Sequence, residues 1–269
     1  MGDMRGLSRS QALAATTVVA AIFAPAIFAP IAAAEEAGIF RIIDLKGSSV
    51  KWGSPKMGTG AAVTYAFATE PVVFSEARNC RAMEPMDALL ASSGVGQALY
   101  EAETARAFDA WSAVADIEFR RVSDPDAADI LIGAQARPVG RAFSNVAYAR
   151  SAPGAVRPLE KSLICLNPQQ PWKVGFDGNL EVYDLRYTLK HEIGHAIGLD
   201  HPDTTSQVMS YRYEERFTTL QAGDISGAVA LYGNKQKLMV ETQPPQTTGG
   251  IALSPAPEES RSPPTLALP

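Results

Sequence analysis

"HEIGHAIGLDH", residues 191–201, holds every histidine of the chain: His191, His195 and His201. His191 and His195 are four apart, so on a helix their side chains share one face and can grip one metal ion. Glu192, one residue on, sits about 100° further round the helix. It can lean over that ion without ligating it. Two nitrogen ligands beside a carboxylate are what a zinc hydrolase needs: ligands for the metal, and a base for the proton of the attacking water.

Two ligands leave such a site one short, because catalytic zinc usually takes three from the protein and keeps a position open for water. Gly198 supplies the turn. A glycine suits the left-handed conformation that ends helices, and His201 then returns from outside the helix as the third ligand. In an uninterrupted helix His201 would stand ten residues, about 15 Å, along the axis from His191, too far to share an ion. Pro202 fits a chain that has left the helix. The bland alternative is three histidines clustered by chance, and Gly198 and His201 in register argue against it.

His191, Glu192, His195, Gly198 and His201 resemble the H-E-x-x-H-x-x-G-x-x-H signature of metzincin metallopeptidases. Downstream, "SQVMSY" (206–211) is similar to that family's methionine turn, with Met209 eight residues after His201. Tyr211 stands where matrixins typically carry proline, and so leans toward the serralysin side. The stretches "ARAFDAWSAVADIEF", "ADILIGA" and "TTLQAGDISGAVALYG" resemble matrixin-type domains, and the likeness runs over roughly residues 60–233.

The resemblance implies an α+β fold of metzincin type. Its sheet would be mixed and mostly parallel with an antiparallel edge strand. Two long helices and a C-terminal helix would accompany it, with a zinc cleft between upper and lower subdomains. It also implies a zinc endopeptidase. His191, His195 and His201 would hold the ion, Glu192 would act as general base, Tyr211 would donate to the oxyanion, and Met209 would pack beneath without ligating. The peptide or protein substrate would lie extended along an edge strand within 141–150. The further histidines that bind a second, structural zinc in matrixins are missing, so one zinc is expected. "RNCRAMEP" around Cys80 does not match the P-R-C-G latency motif. The glycine-rich calcium-binding repeats of serralysins do not appear either. A calcium ion in "FDGN" (176–179) competes with the plainer reading of a polar turn.

Periodicity supplies the other elements. "AVTYAFAT" (62–69) alternates as a strand, and 70–95 reads as an irregular connection marked by Pro and Gly. Residues 96–115 form an amphipathic helix with Leu99, Ala102, Ala107, Phe108, Trp111 and Val114 at helical spacing. Strands are expected at 117–122, 128–134, 141–150 and 161–167, and helices at 183–199 and 218–233, the last with Ile225, Val229 and Leu231 for the core. The strand–helix–strand order over 62–134 gives a mixed sheet with the helix on one face.

Composition sets the boundaries. Charged residues make up 20% and the net charge is −5, an ordinary globular balance with no basic stripe, so no nucleic-acid partner is expected. Arg5 and Arg9 precede an uncharged apolar run that lasts until Glu35, which reads as an export signal (1–34) cut near Ala34. The rival is an uncleaved anchor, the one route to a membrane, though Pro25 and Pro30 weaken a continuous spanning helix. The mature protein would be secreted or periplasmic, and monomeric. Residues 35–60 would be an N-terminal arm or short pro-segment, 61–234 the catalytic domain, and 235–269, rich in Pro, Ser and Thr, a disordered tail. The two cysteines, Cys80 and Cys165, most simply pair in an exported chain. A thiolate capping a metal is the alternative, and their spacing does not choose between the two. The rival function is a zinc-binding envelope protein that does not cut, or cuts only itself. The intact Glu192 stands against it.

Overall fold

The computed structural model describes residues 40–150 and 154–235. The expected signal segment, 1–34, and all of the expected tail but its first residue lie outside the described residues. The elements run in the order β1 (Arg41–Ile42), β2 (Ser49–Lys51), β3 (Ala61–Phe67), β4 (Val72–Val73), β5 (Ala82–Met83), α1 (Asp87–Ser93) and α2 (Gln97–Val114). Then come β6 (Ile117–Arg121), β7 (Ile130–Ala134), β8 (Ala142–Tyr148), β9 (Val156–Leu166), β10 (Trp172–Lys173) and β11 (Tyr183–Asp184). The chain ends through α3 (Leu185–Ala196), β12 (Leu199–Asp200) and α4 (Ala222–Tyr232).

β6, β3, β7 and β9 lie side by side and parallel. β8 pairs antiparallel with β9 at the edge, and β2 runs parallel to the N-terminal end of β9. This is the mixed, mostly parallel sheet of the α+β expectation. Parallel strands are covered on both faces, and β7, "ILIGA", is buried at every residue. On one face lie α2 and α3, with Phe108, Trp111, Ile132, Ile164, Leu189 and Ile193 in one core. The other face is covered by the segment between β3 and α1, where Cys80 and Met83 pack on Leu131, Leu163 and Cys165. Cys80 and Cys165 form a disulfide that ties this segment to β9.

Several expectations change. Residues 70–95 are not merely irregular: they hold the antiparallel pair β4–β5 and the helix α1. Within the expected arm or pro-segment, described from residue 40, β2 joins the sheet and β1 pairs with β12, burying Val50 and Trp52. In α2 the buried stripe is Tyr100, Glu103, Thr104, Ala107, Phe108 and Trp111, a run at helical spacing that turns Leu99 and Ala102 outward. β9 starts five residues before the expected strand because "VRPLE" (156–160) pairs with β2 and β8, a long-range cause that no local pattern reports. α4 starts at Ala222, not 218, because the Asp224 carboxylate accepts the Gln221 N–H at 2.7 Å and fixes the cap there.

Candidate metal centre

The site is built on α3. Asp184 starts the helix: its Oδ1 accepts the Tyr187 N–H and its Oδ2 accepts the Gly175 N–H, each at 2.7 Å. The helix ends at Ala196 rather than running to 199. Its last carbonyls are taken by distant side chains, as the end of a buried helix requires. The Trp52 indole N–H and the Ser162 hydroxyl each donate to the Ala196 carbonyl at 2.9 Å, and the Tyr232 hydroxyl donates to the Ile197 carbonyl at 2.6 Å. Gly198 follows with φ +112°, and a Cβ there would lie 2.3 Å from the Val50 carbonyl oxygen. The turn therefore needs glycine twice, for its backbone angle and for the close approach of β2. β12 then delivers His201.

The turn brings the three imidazoles together. The His191 and His201 Nε2 atoms are 3.1 Å apart, and His195 Nε2 lies 3.2 Å from each. Two nitrogens bound to one tetrahedral zinc are separated by about 3.3 Å, so the donor set fits that ion. The other ring nitrogens fix the tautomers. His191 Nδ1 lies 2.7 Å from the Val208 carbonyl and His195 Nδ1 lies 2.8 Å from the Leu199 carbonyl, so each donates there and turns an unprotonated Nε2 inward. Burial, and then the neighbouring imidazoles, push His191 down to about 3 and His195 and His201 down to about 4. All three are thus neutral donors at ordinary pH. Asp200 accepts the His201 backbone N–H at 2.8 Å and lies 3.4 Å from the Arg41 guanidinium.

Glu192 is buried beside this trio. Burial raises its carboxyl to about 7, against the Ser144 hydroxyl, which lowers it. That hydroxyl sits 2.8 Å from Glu192 Oε2 and 2.9 Å from the Glu192 backbone carbonyl. Ser144 lies on β8, 48 residues away in the chain, and nothing in the local sequence points to it. A cleft of about 470 Å³ opens here, lined by the histidines, Glu192, Ser144 and, further along, Arg141, Tyr183 and Thr188. Tyr211 is on its rim. Its ring stacks on His201 with centroids 3.6 Å apart, and it is 84% exposed.

The floor is made by the stretch after the turn. Met209 is buried under α3, and a Cβ on Gly194 would lie 2.2 Å from its sulfur, so Gly194 is the opening that admits it. Asp224 holds this stretch from below: its Oδ2 accepts the Val208 N–H and its Oδ1 the Met209 N–H, both at 3.0 Å. Asp224→Ala strands these two donors in a buried place and removes the cap contact to the Gln221 N–H. It should cost about 3 kcal/mol, read as a fall of roughly 6–12 °C in the thermal midpoint. A midpoint within 2 °C of the parent would refute this role for Asp224.

The loop 176–179 is a turn closed by the chain's own cation. Lys173 Nζ contacts Asp177 Oδ1 and Glu215 Oε1 and donates to the Asn179 carbonyl at 2.8 Å. Oxygens of this loop, the Asp177 carboxylate and the Asn179 carbonyl, are thus engaged by the Lys173 ammonium. Both cysteine sulfurs are in the disulfide, which leaves neither thiolate for a metal.

Known proteins resemble this chain in sequence. The family described as matrixin matches residues 89–233. The metalloendoproteinase 1-MMP of Arabidopsis thaliana is 34% identical over 142 residues, 51% of this chain and 39% of that protein. Matrix metalloproteinase-19 of Homo sapiens is 29% identical over 148 residues, 53% of this chain and 28% of that protein. The chain therefore spans well under half the length of these curated relatives. The matched region covers more than half of the chain and takes in α2, the three histidines and α4 together, so the chain belongs to the matrixin family.

Proposed function

We propose that this matrixin domain is an exported zinc-dependent endopeptidase. The observation that carries the reading is the trio of neutral Nε2 donors, 3.1–3.2 Å apart, beside one buried carboxylate in an open cleft. His191, His195 and His201 would hold the metal. A zinc ion so held supplies Lewis acidity to a water and to the scissile carbonyl. Glu192, raised toward neutral pH, takes the proton of the attacking water and hands it to the leaving amine. Ser144 orients the carboxylate, and Tyr211, on the cleft rim, donates to the developing oxyanion once its ring swings from His201. The names of the relatives, metalloendoproteinase and matrix metalloproteinase, support a peptide or protein substrate. The disulfide supports an oxidising compartment.

β8 gives the substrate a place to lie. Arg141 accepts from Asn167 and Ala149 donates to Pro158, so the odd-numbered residues of β8 face β9. By the alternation of an antiparallel ladder, Ala142, Ser144 and Val146 turn their amides outward, where an extended peptide can pair with them. The test is hydrolysis of a quenched-fluorescent peptide library. Activity should vanish with a chelator and return with added zinc. Zinc bound one to one with no cleavage of any peptide would sink the reading.

A further inference from the structure

We propose that Asn79 is a substrate-backbone anchor, an added amide that the disulfide-tied segment brings to the edge strand. The proposal rests on the peptidase reading. Asn79 lines the same cleft as Glu192 and His191 although it comes from the opposite face of the sheet. Its backbone is fixed there. The Asn145 side-chain Oδ1 accepts the Arg78 N–H at 2.9 Å and the Asn79 N–H at 3.3 Å, and the next residue is Cys80, tied to β9. From this base the Asn79 carboxamide reaches round the edge, and its Nδ2 donates to the Ser144 carbonyl at 3.3 Å.

Ser144 is the residue of β8 that touches the proposed base, so this outward carbonyl stands next to the reacting centre. A carbonyl accepts two hydrogen bonds, so Asn79 does not close it to a peptide N–H. The carboxamide also carries an acceptor, Oδ1, beside its engaged donor. A peptide laid along β8 thus meets Ser144 and Asn79 as if Asn79 were one more peptide group of the strand. The contact is to the substrate backbone, so it acts on every side-chain sequence alike. Because the segment is tied down before binding, little ordering is left to do when the peptide arrives.

The test uses the zinc-loaded chain in a Glu192→Gln background, in which a labelled peptide can bind without turnover. Adding Asn79→Ala should raise the Kd about 3- to 10-fold, the worth of one exposed hydrogen bond. In the cutting enzyme, the same change should raise KM and leave kcat within twofold. A scan of backbone N-methylated peptides gives the readout that a merely structural role would not move. Methylation at one position should weaken binding to the parent and not to the Asn79→Ala protein. Cys80→Ser with Cys165→Ser should reproduce the weakening, with no further loss when Asn79→Ala is added. An unchanged Kd, or no position of coupling in the scan, overturns the assignment while the wild type still cuts. Failure of the wild type to cut or bind any peptide removes the peptidase reading, and this one with it.

Discussion

Glu192→Gln is expected to lower peptide hydrolysis about 10²- to 10⁴-fold while one zinc ion per chain stays bound. The amide keeps the shape of the carboxylate and can still meet the Ser144 hydroxyl, so the cleft wall survives. What it loses is the ability to take a proton. The three imidazoles keep their carbonyl partners at Val208 and Leu199, neither of which involves Glu192. Activity and zinc content, measured on the same sample, separate the two roles. Turnover within tenfold of the wild type would remove Glu192 as the base. Loss of zinc along with activity would make it part of the metal's support instead.

Gly198→Ala is expected to damage both the fold and the histidine cluster. The new Cβ would sit 2.3 Å from the Val50 carbonyl, and Val50 is fully buried in a strand paired with β9. Alanine at φ +112° adds strain of its own, of order 1–3 kcal/mol. Together these should cost about 3–5 kcal/mol. Relief by moving the turn would displace β12 and His201, so zinc affinity should fall about 10- to 100-fold. Thermal unfolding with and without zinc measures the first effect, and competition against a chromophoric chelator the second. A variant with a parental midpoint and parental zinc affinity would show that the turn tolerates a side chain.

The long helices and the strands of the parallel sheet were legible because they carry local periodicity. Trp111 and Phe108 fall at helical spacing, and β7 is a short apolar run between polar ends. The histidine trio was legible for the same reason: one helix and one turn present all three, so their spacing already suggests that they meet. The supports of the site were not. Trp52, Ser162 and Tyr232 cap the same helix end from three places far apart in the chain, and each is an ordinary residue in its own neighbourhood. Ser144 and Asp224 likewise carry no local mark of what they hold. The helices are shorter than the expected 183–199 and 218–233 because the caps, Asp184 and the Asp224–Gln221 contact, depend on partners that folding brings in.

The sequence by itself laid out the candidate metal centre: two histidines and a glutamate at helical spacing, a glycine that lets the third histidine return, and a methionine turn behind them. Those are short-range facts, fixed by the rise and twist of a helix and the freedom of one glycine. Only the tertiary structure decided what surrounds them. It placed an edge strand against the glutamate, drew the expected arm into the sheet, and used the Cys80–Cys165 disulfide to bring Asn79 to the cleft from the far face. Such contacts join residues 48 to 180 positions apart. They arise from the burial of whole faces, which no window along the chain can contain.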